Sequence, residues 1–225
     1  MLRKITSSAL ASALFAALTG CGMFDSGPNV LSDTDAARIA SSGSSSYMRK
    51  LAHLPFAPAQ ASHRVSADTA NHVRDRHGMP VYKLNERHRY VRTTAYTHNE
   101  SDHLQFGATN ALGTPLRFTH RVRSAAADWA AYPVGTVFKI KGLPYLFVVD
   151  DYGSALVGTQ TIDLYMPNGA WMKAWGMRKV EVSVVKWGDF QQSMNLLSKR
   201  MRHPHCRRMY AEIQRRFPKL RTAAR

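Results

Sequence analysis

Tyr145 to Tyr165 reads YLFVVDDYGSALVGTQTIDLY, and this stretch decides the fold. Leu146 to Val149 is an apolar run of strand length that ends in two acids, Asp150 and Asp151. Gly153 turns the chain. Ile162-Asp163-Leu164-Tyr165 then alternates with period two, which turns Asp163 away from the side that Ile162 and Leu164 bury. Two strands therefore deliver carboxylates to nearby places. An ionised carboxylate is costly to desolvate without a partner, so acids here either carry chemistry or serve as turn caps.

Further strands flank this centre. Val137 to Ile140 follows a Pro133-Val134-Gly135-Thr136 turn, Gly142 to Pro144 makes the next turn, and KVEVSVVKW at 179–187 alternates as a closing strand. YVRTTAYT at 90–97 is β-branched and aromatic, as a first strand should be. About six or seven short strands between residues 90 and 188, with one short helical piece near Gly169 to Gly176, predict a small closed barrel. A barrel of this size is filled by side chains, so a binding site must lie on its outside or rim. His98, Glu100, Asp102 and His103 read as a solvated loop rather than a metal cluster.

Several short motifs resemble the 3D domain, named for three aspartates. They are TTAYT at 93–97, Asp128 with Pro133-Val134-Gly135-Thr136, Asp151-Tyr152-Gly153 with Ala155 and Gly158, Ile162-Asp163-Leu164-Tyr165, and Trp175-Gly176-Met177-Arg178-Lys179-Val180. That domain forms the barrel core of membrane-bound lytic transglycosylase A and occurs in several small exported wall proteins. The resemblance covers roughly residues 90–188 and implies a mainly β, six-stranded double-psi β-barrel that acts on peptidoglycan glycan strands. Its three aspartates correspond to Asp128, Asp151 and Asp163, with Asp163 at the position of the general acid. Asp151 fits the Asp-x-Gly position better than Asp150, and the acid pair leaves the register open by one residue. Departures are Tyr152 in place of a small hydroxyl residue, Trp129 where proline is common, and Thr159-Gln160-Thr161, one residue longer than in some members.

Lytic cleavage of the bond between N-acetylmuramic acid and N-acetylglucosamine takes its nucleophile from the substrate, whose muramic 6-hydroxyl attacks its own anomeric carbon. One carboxyl group then suffices as acid and later base, unlike the pair an ordinary glycosidase needs. To be protonated near neutral pH, Asp163 needs a pKa well above about 3.9, through apolar neighbours and a nearby negative charge such as Asp151. Tyr96 and Thr97 are candidates to bind sugar from the first strand, and Gly153 and Gly158 either permit turns or let backbone approach a ligand. Trp129, Trp171 and Trp175 are candidate stacking platforms or core residues. The competing expectation is a non-catalytic module that binds peptidoglycan through the same barrel.

Outside the barrel, residues 1–21, MLRKITSSALASALFAALTGC, have the three regions of a secretory signal: Arg3 and Lys4, an apolar stretch from Ala9 to Leu18, and small residues before a cysteine. Leu18-Thr19-Gly20-Cys21 resembles the lipobox of bacterial lipoproteins, which makes Cys21 the lipidated residue and the membrane a partner through that anchor. The expected place is the cell envelope. Gly22, where aspartate would retain the protein at the inner membrane, favours the outer membrane facing the periplasm. Residues 22–89 are rich in Ser, Ala and Pro and then polar, and read as a flexible tether. Within them 33–40 and 47–54 have helical pattern.

Residues 189–225 form an expected basic helical extension, with Lys199 to Arg225 holding ten Lys or Arg and one acid, Glu212. The extension is either a clamp on anionic wall polymer or lipid headgroups, or a solvated tail. Net charge is +16 over 225 residues, which favours anionic partners. Export argues against nucleic acid. No cofactor and no metal is expected: His72, His77 and His88 are scattered, and His203-Pro204-His205-Cys206 has too few neighbours to close a site.

Overall fold

The computed structural model describes residues 71–101 and 104–220. The expected leader, the lipidated Cys21, the helical patterns at 33–40 and 47–54, Asp102 and His103 lie outside the described residues. Six strands form: β1 (His88–Tyr96), β2 (Val122–Ala127), β3 (Val137–Ile140), β4 (Leu146–Asp151), β5 (Ile162–Tyr165) and β6 (Arg178–Lys186). Each pairs with two others, so the sheet closes on itself in the order β1-β5-β2-β4-β3-β6. The β1–β5 and β2–β4 pairs are parallel, and the rest are antiparallel. Replacing β1, β2 and β3 by β4, β5 and β6 reproduces every neighbour and every direction, which is the signature of an internal two-fold.

Alternation explains most strands. On β6, Val180, Val182 and Val184 enter the interior while Lys179, Glu181 and Ser183 face out. The strand that local pattern does not announce is β2, VRSAAA, because alanine has little β preference. It forms because β4 and β5 pair with it on both sides. Ala125 and Ala127 fill the core, while Ala126 faces outward into a small cluster with Tyr96, Leu156 and Tyr165.

The folded unit is larger at both ends than the expected 90–188. Met79 and Tyr82 are buried, and the guanidinium of Arg89 lies against Tyr82, Tyr132 and Trp187 at 5.3, 5.1 and 4.7 Å. Asp75 Oδ2 accepts the Gln160 N–H at 2.6 Å, and Arg76 donates to the Val157 carbonyl at 3.1 Å. Residues 75–89 are thus part of the barrel and not tether. Their polarity misleads because these polar groups satisfy loop backbone instead of water.

Three helices complete the unit: α1 (Gly169–Trp175), α2 (Phe190–Ser198) and α3 (Pro204–Arg216). Asp189 caps α2 by accepting from the N–H groups of Gln191 and Gln192, and Pro204 opens α3 where its missing N–H costs nothing. Met194 and Leu197 of α2 and Cys206, Met209 and Ile213 of α3 join the barrel's own core cluster. Over the described residues, up to 220, the extension is therefore a docked layer and not a solvated tail. Arg216 reinforces it by donating to the Ala130 carbonyl. Among the described residues, no helix is long and apolar enough to cross a membrane.

Candidate functional site

Strand register assembles the site. Thr94 of β1 is opposite Asp163 of β5, Asp163 is opposite Ala126 of β2, and Ala126 is opposite Asp151 of β4. The four form one row across four strands on the outer face. Ile162 and Leu164, the neighbours of Asp163, are fully buried in the core, which confirms that Asp163 points the other way. At about 4.8 Å per strand, the Asp163 and Asp151 backbones stand roughly 10 Å apart, with only a methyl group between them.

A β-bulge sets which of the adjacent acids enters this row. Ala125 pairs with Val149 and Ala126 with Asp151, so Asp150 is the extra residue. Asp151 Oδ2 accepts from the Tyr96 hydroxyl at 3.1 Å, and its Oδ1 from the Tyr152 N–H at 2.9 Å. Its carbonyl accepts from the Trp129 indole at 2.9 Å, which ties the bulge to the core. Asp163 Oδ1 accepts from the Thr94 hydroxyl at 2.7 Å.

Asp150 turns to a buried corner instead, 1% exposed, where its Oδ2 accepts from Ser124 Oγ at 2.8 Å and Asn110 Nδ2 at 3.0 Å. Its Oδ1 is buried with no hydrogen-bond partner among the described residues. Burial, helped by the negative charge of Asp151 and opposed by the Ser124 hydrogen bond, pushes its carboxyl up to about 6.

Tyr96 stands at the meeting point of the three acids. Burial first, then the charges of Asp151, Asp150 and Asp163, hold its hydroxyl well above the usual phenol range, so it stays a neutral donor. Tyr165 lies beside it, ring centroids 5.6 Å apart, with its own hydroxyl 2.8 Å from His98 Nδ1. Thr97 is buried; its N–H donates to Glu100 Oε2 at 3.0 Å.

Asp128 belongs to a different arrangement. Its Oδ1 accepts the Ala130 N–H at 2.8 Å, its Oδ2 accepts the Gly158 N–H at 2.7 Å, and its carbonyl receives the N–H groups of Ala131 and Tyr132. Burial raises its pKa, opposed by those two backbone hydrogen bonds. Gly158, at φ +76°, supplies a conformation that other residues rarely adopt, and its N–H is committed to Asp128. Gly153, at φ −136°, is ordinary extended backbone opening a single 3₁₀ turn at Ser154–Leu156. Of the expected residues, the structure therefore gathers Asp163, Asp151 and Tyr96, while Asp128 and Gly158 fasten the turn after β2 to the loop before β5.

Thr94, Ser124 and Asn110 are additions that sequence reasoning did not single out. Thr94 was within reach, since it shares the outward phase of Tyr96 on β1; Asn110 had no local signal. Of the three tryptophans, Trp129 and Trp175 are core residues and Trp171 is half-buried. A cleft of about 570 Å³ exists elsewhere, lined by residues including Trp187, Asp189, Phe190, Phe217 and Leu220, and none of Asp128, Asp150, Asp151 and Asp163 lines it. Among the described residues, no group of three or more His, Cys, Asp or Glu side chains is placed to hold a metal.

Residues 123–186, from β2 through β6, match the family model of the 3D domain. The match contains Asp128, Asp150, Asp151 and Asp163, while β1, with Thr94 and Tyr96, lies before it. No curated protein matches the chain.

Proposed function

We propose that this protein is a peptidoglycan-directed barrel of the double-psi type that cleaves the glycosidic bond between N-acetylmuramic acid and N-acetylglucosamine, with Asp163 as acid and then base. The observation that carries this reading is the outward row Thr94–Asp163–Ala126–Asp151. Asp163 has one oxygen held by a hydroxyl, which orients the carboxyl, and it is the half-exposed acid of the group. Ala126 is itself buried in the small outer cluster with Tyr96, Leu156 and Tyr165, so a sugar would approach the row from its Thr94–Asp163 end.

In the reaction, Asp163 gives its proton to the glycosidic oxygen, and the bond to the leaving N-acetylglucosamine breaks. The muramic 6-hydroxyl closes on its own anomeric carbon, and its proton returns to the Asp163 carboxylate. Asp151, bonded to Tyr96, sits one strand beyond Ala126 as a fixed negative charge beside the cationic transition state. The internal two-fold of the strand ring supports the double-psi reading. The leader and Cys21 support an exported, lipid-anchored protein, with the outer membrane as its place.

A second reading, a non-catalytic wall-binding module, draws on the position of the acids on an outer barrel face while the described cleft lies elsewhere. Mass spectrometry of purified peptidoglycan after incubation separates the two. Anhydromuramic ends that vanish with Asp163→Asn support the enzyme. Reducing ends mean hydrolysis through a second carboxylate, and retained binding without new ends supports the module.

A further inference from the structure

One row below Asp163 on the same outer face, Arg92 of β1 is directly opposite Lys179 of β6. Like charges at opposed positions of an antiparallel pair repel, so the arrangement is unfavourable unless an anion joins them. Arg92 Nη1 donates to Thr161 Oγ1 at 3.3 Å, a long bond to a neutral oxygen, and among the described residues no carboxylate pairs with Arg92 or Lys179. Glu181, the next outward residue on β6, is occupied by Lys141 at 2.7 Å. Asp163, two residues along from Thr161, is held by Thr94.

We propose that Arg92 and Lys179 form an anion subsite that takes a carboxylate carried by the muramyl residue of a glycan strand. The inference rests on the peptidoglycan reading and names the part of that substrate which the site selects. Two residues of extended chain span roughly 7 Å and each strand adds roughly 5 Å sideways, so the Arg92 and Lys179 backbones stand roughly 8 and 12 Å from that of Asp163, within about two sugars of it. The Arg92 fork matches a carboxylate in two-point geometry, Thr161 holds it in orientation, and Lys179 adds a second charge. The carboxylate has two sources: the 3-O-lactyl group where the peptide stem has been removed, or the free acids of an intact stem.

The test uses the full chain carrying Asp163→Asn, so that glycan is bound and not cut. Calorimetric titration compares three ligands of equal length: stem-free glycan, stem-bearing glycan and a chito-oligosaccharide, which lacks both acids. At least one muramyl ligand should bind about tenfold tighter than the chito-oligosaccharide, and Arg92→Gln with Lys179→Gln should erase that preference. Tighter binding of stem-free glycan identifies the lactyl carboxylate, and tighter binding of stem-bearing glycan identifies the stem.

Equal affinity for all three ligands, or a preference that survives both substitutions, overturns the proposal. Without ligand, Lys179→Gln should leave the melting temperature unchanged or raise it, because it relieves repulsion; a clear fall would remove the premise. Cleavage is read separately on the chain with Asp163 intact. No cleavage with an intact preference discards the enzymatic reading and keeps the subsite, while cleavage without preference discards the subsite alone.

Discussion

Asp163 and Asp128 lie in one matched segment, at or beside the paired strands β5 and β2, yet the two regions use the same side chain for opposite ends. At the turn after β2, both oxygens of Asp128 are occupied by backbone N–H groups inside a buried pocket. On the outer row, Asp163 is half-exposed and Thr94 orients one of its oxygens. The difference separates two uses of one side chain: the acid saturated by backbone holds the chain, and the partly exposed acid oriented by a side chain is the one we propose to act on a ligand.

The sharpest way to break the comparison is to neutralise each acid in turn. Asp163→Asn should lower release of anhydromuramic ends by about 100-fold or more, as general acid–base contributions do, while the melting temperature stays within about 2 °C. Asp128→Ala should do the reverse. Losing two buried charge-assisted hydrogen bonds should cost roughly 3 kcal/mol in urea unfolding, with any loss of cleavage explained by the unfolded fraction. Equal destabilisation by both substitutions would erase the distinction.

Asp150 sharpens the comparison through pH. Its folded pKa, about 6, lies above the ordinary value of 3.8, so the native state binds the extra proton between those limits. Stability from this group is complete below about pH 4 and is lost as pH rises through about 6. Asp150→Asn keeps the shape and still accepts from Ser124 or Asn110. It should therefore raise stability at pH 7.5 by roughly 1–3 kcal/mol and flatten the dependence between pH 4 and 7. Thermal melts across that range check this.

The smallest effect belongs to the clamp's other half. Gly158→Ala meets no atom within 4 Å, so only its positive φ opposes the change, and a loss of about 1 kcal/mol is expected. A loss much beyond that would mean that the Asp128 bond itself had broken.

Much of this was legible in the chain. The Val137–Ile140 strand, the apolar run ending in Asp150 and Asp151, and the alternation that turns Asp163 outward are local patterns, and the structure places strands at each. Strand β2 was hidden because an alanine run carries no β signal, and residues 75–89 because polar side chains that bind loop carbonyls look the same in sequence as solvated ones. The docking of α2 and α3 was also hidden: Cys206, Met209 and Ile213 repeat at helical spacing, but arginines outnumber them on the helix.

By itself, then, the sequence determined most of the strand-forming segments, the turns between them and the direction in which Asp163 leaves its strand, because side-chain alternation is a property of one strand's backbone. The tertiary structure decided which acids meet. Asp163 and Asp151 share a row only through the registers of β1 with β5, β5 with β2 and β2 with β4, and one bulged residue chooses between Asp150 and Asp151. Register is set by packing between segments distant in the chain, and a slip of one residue would send every outward side chain to the interior.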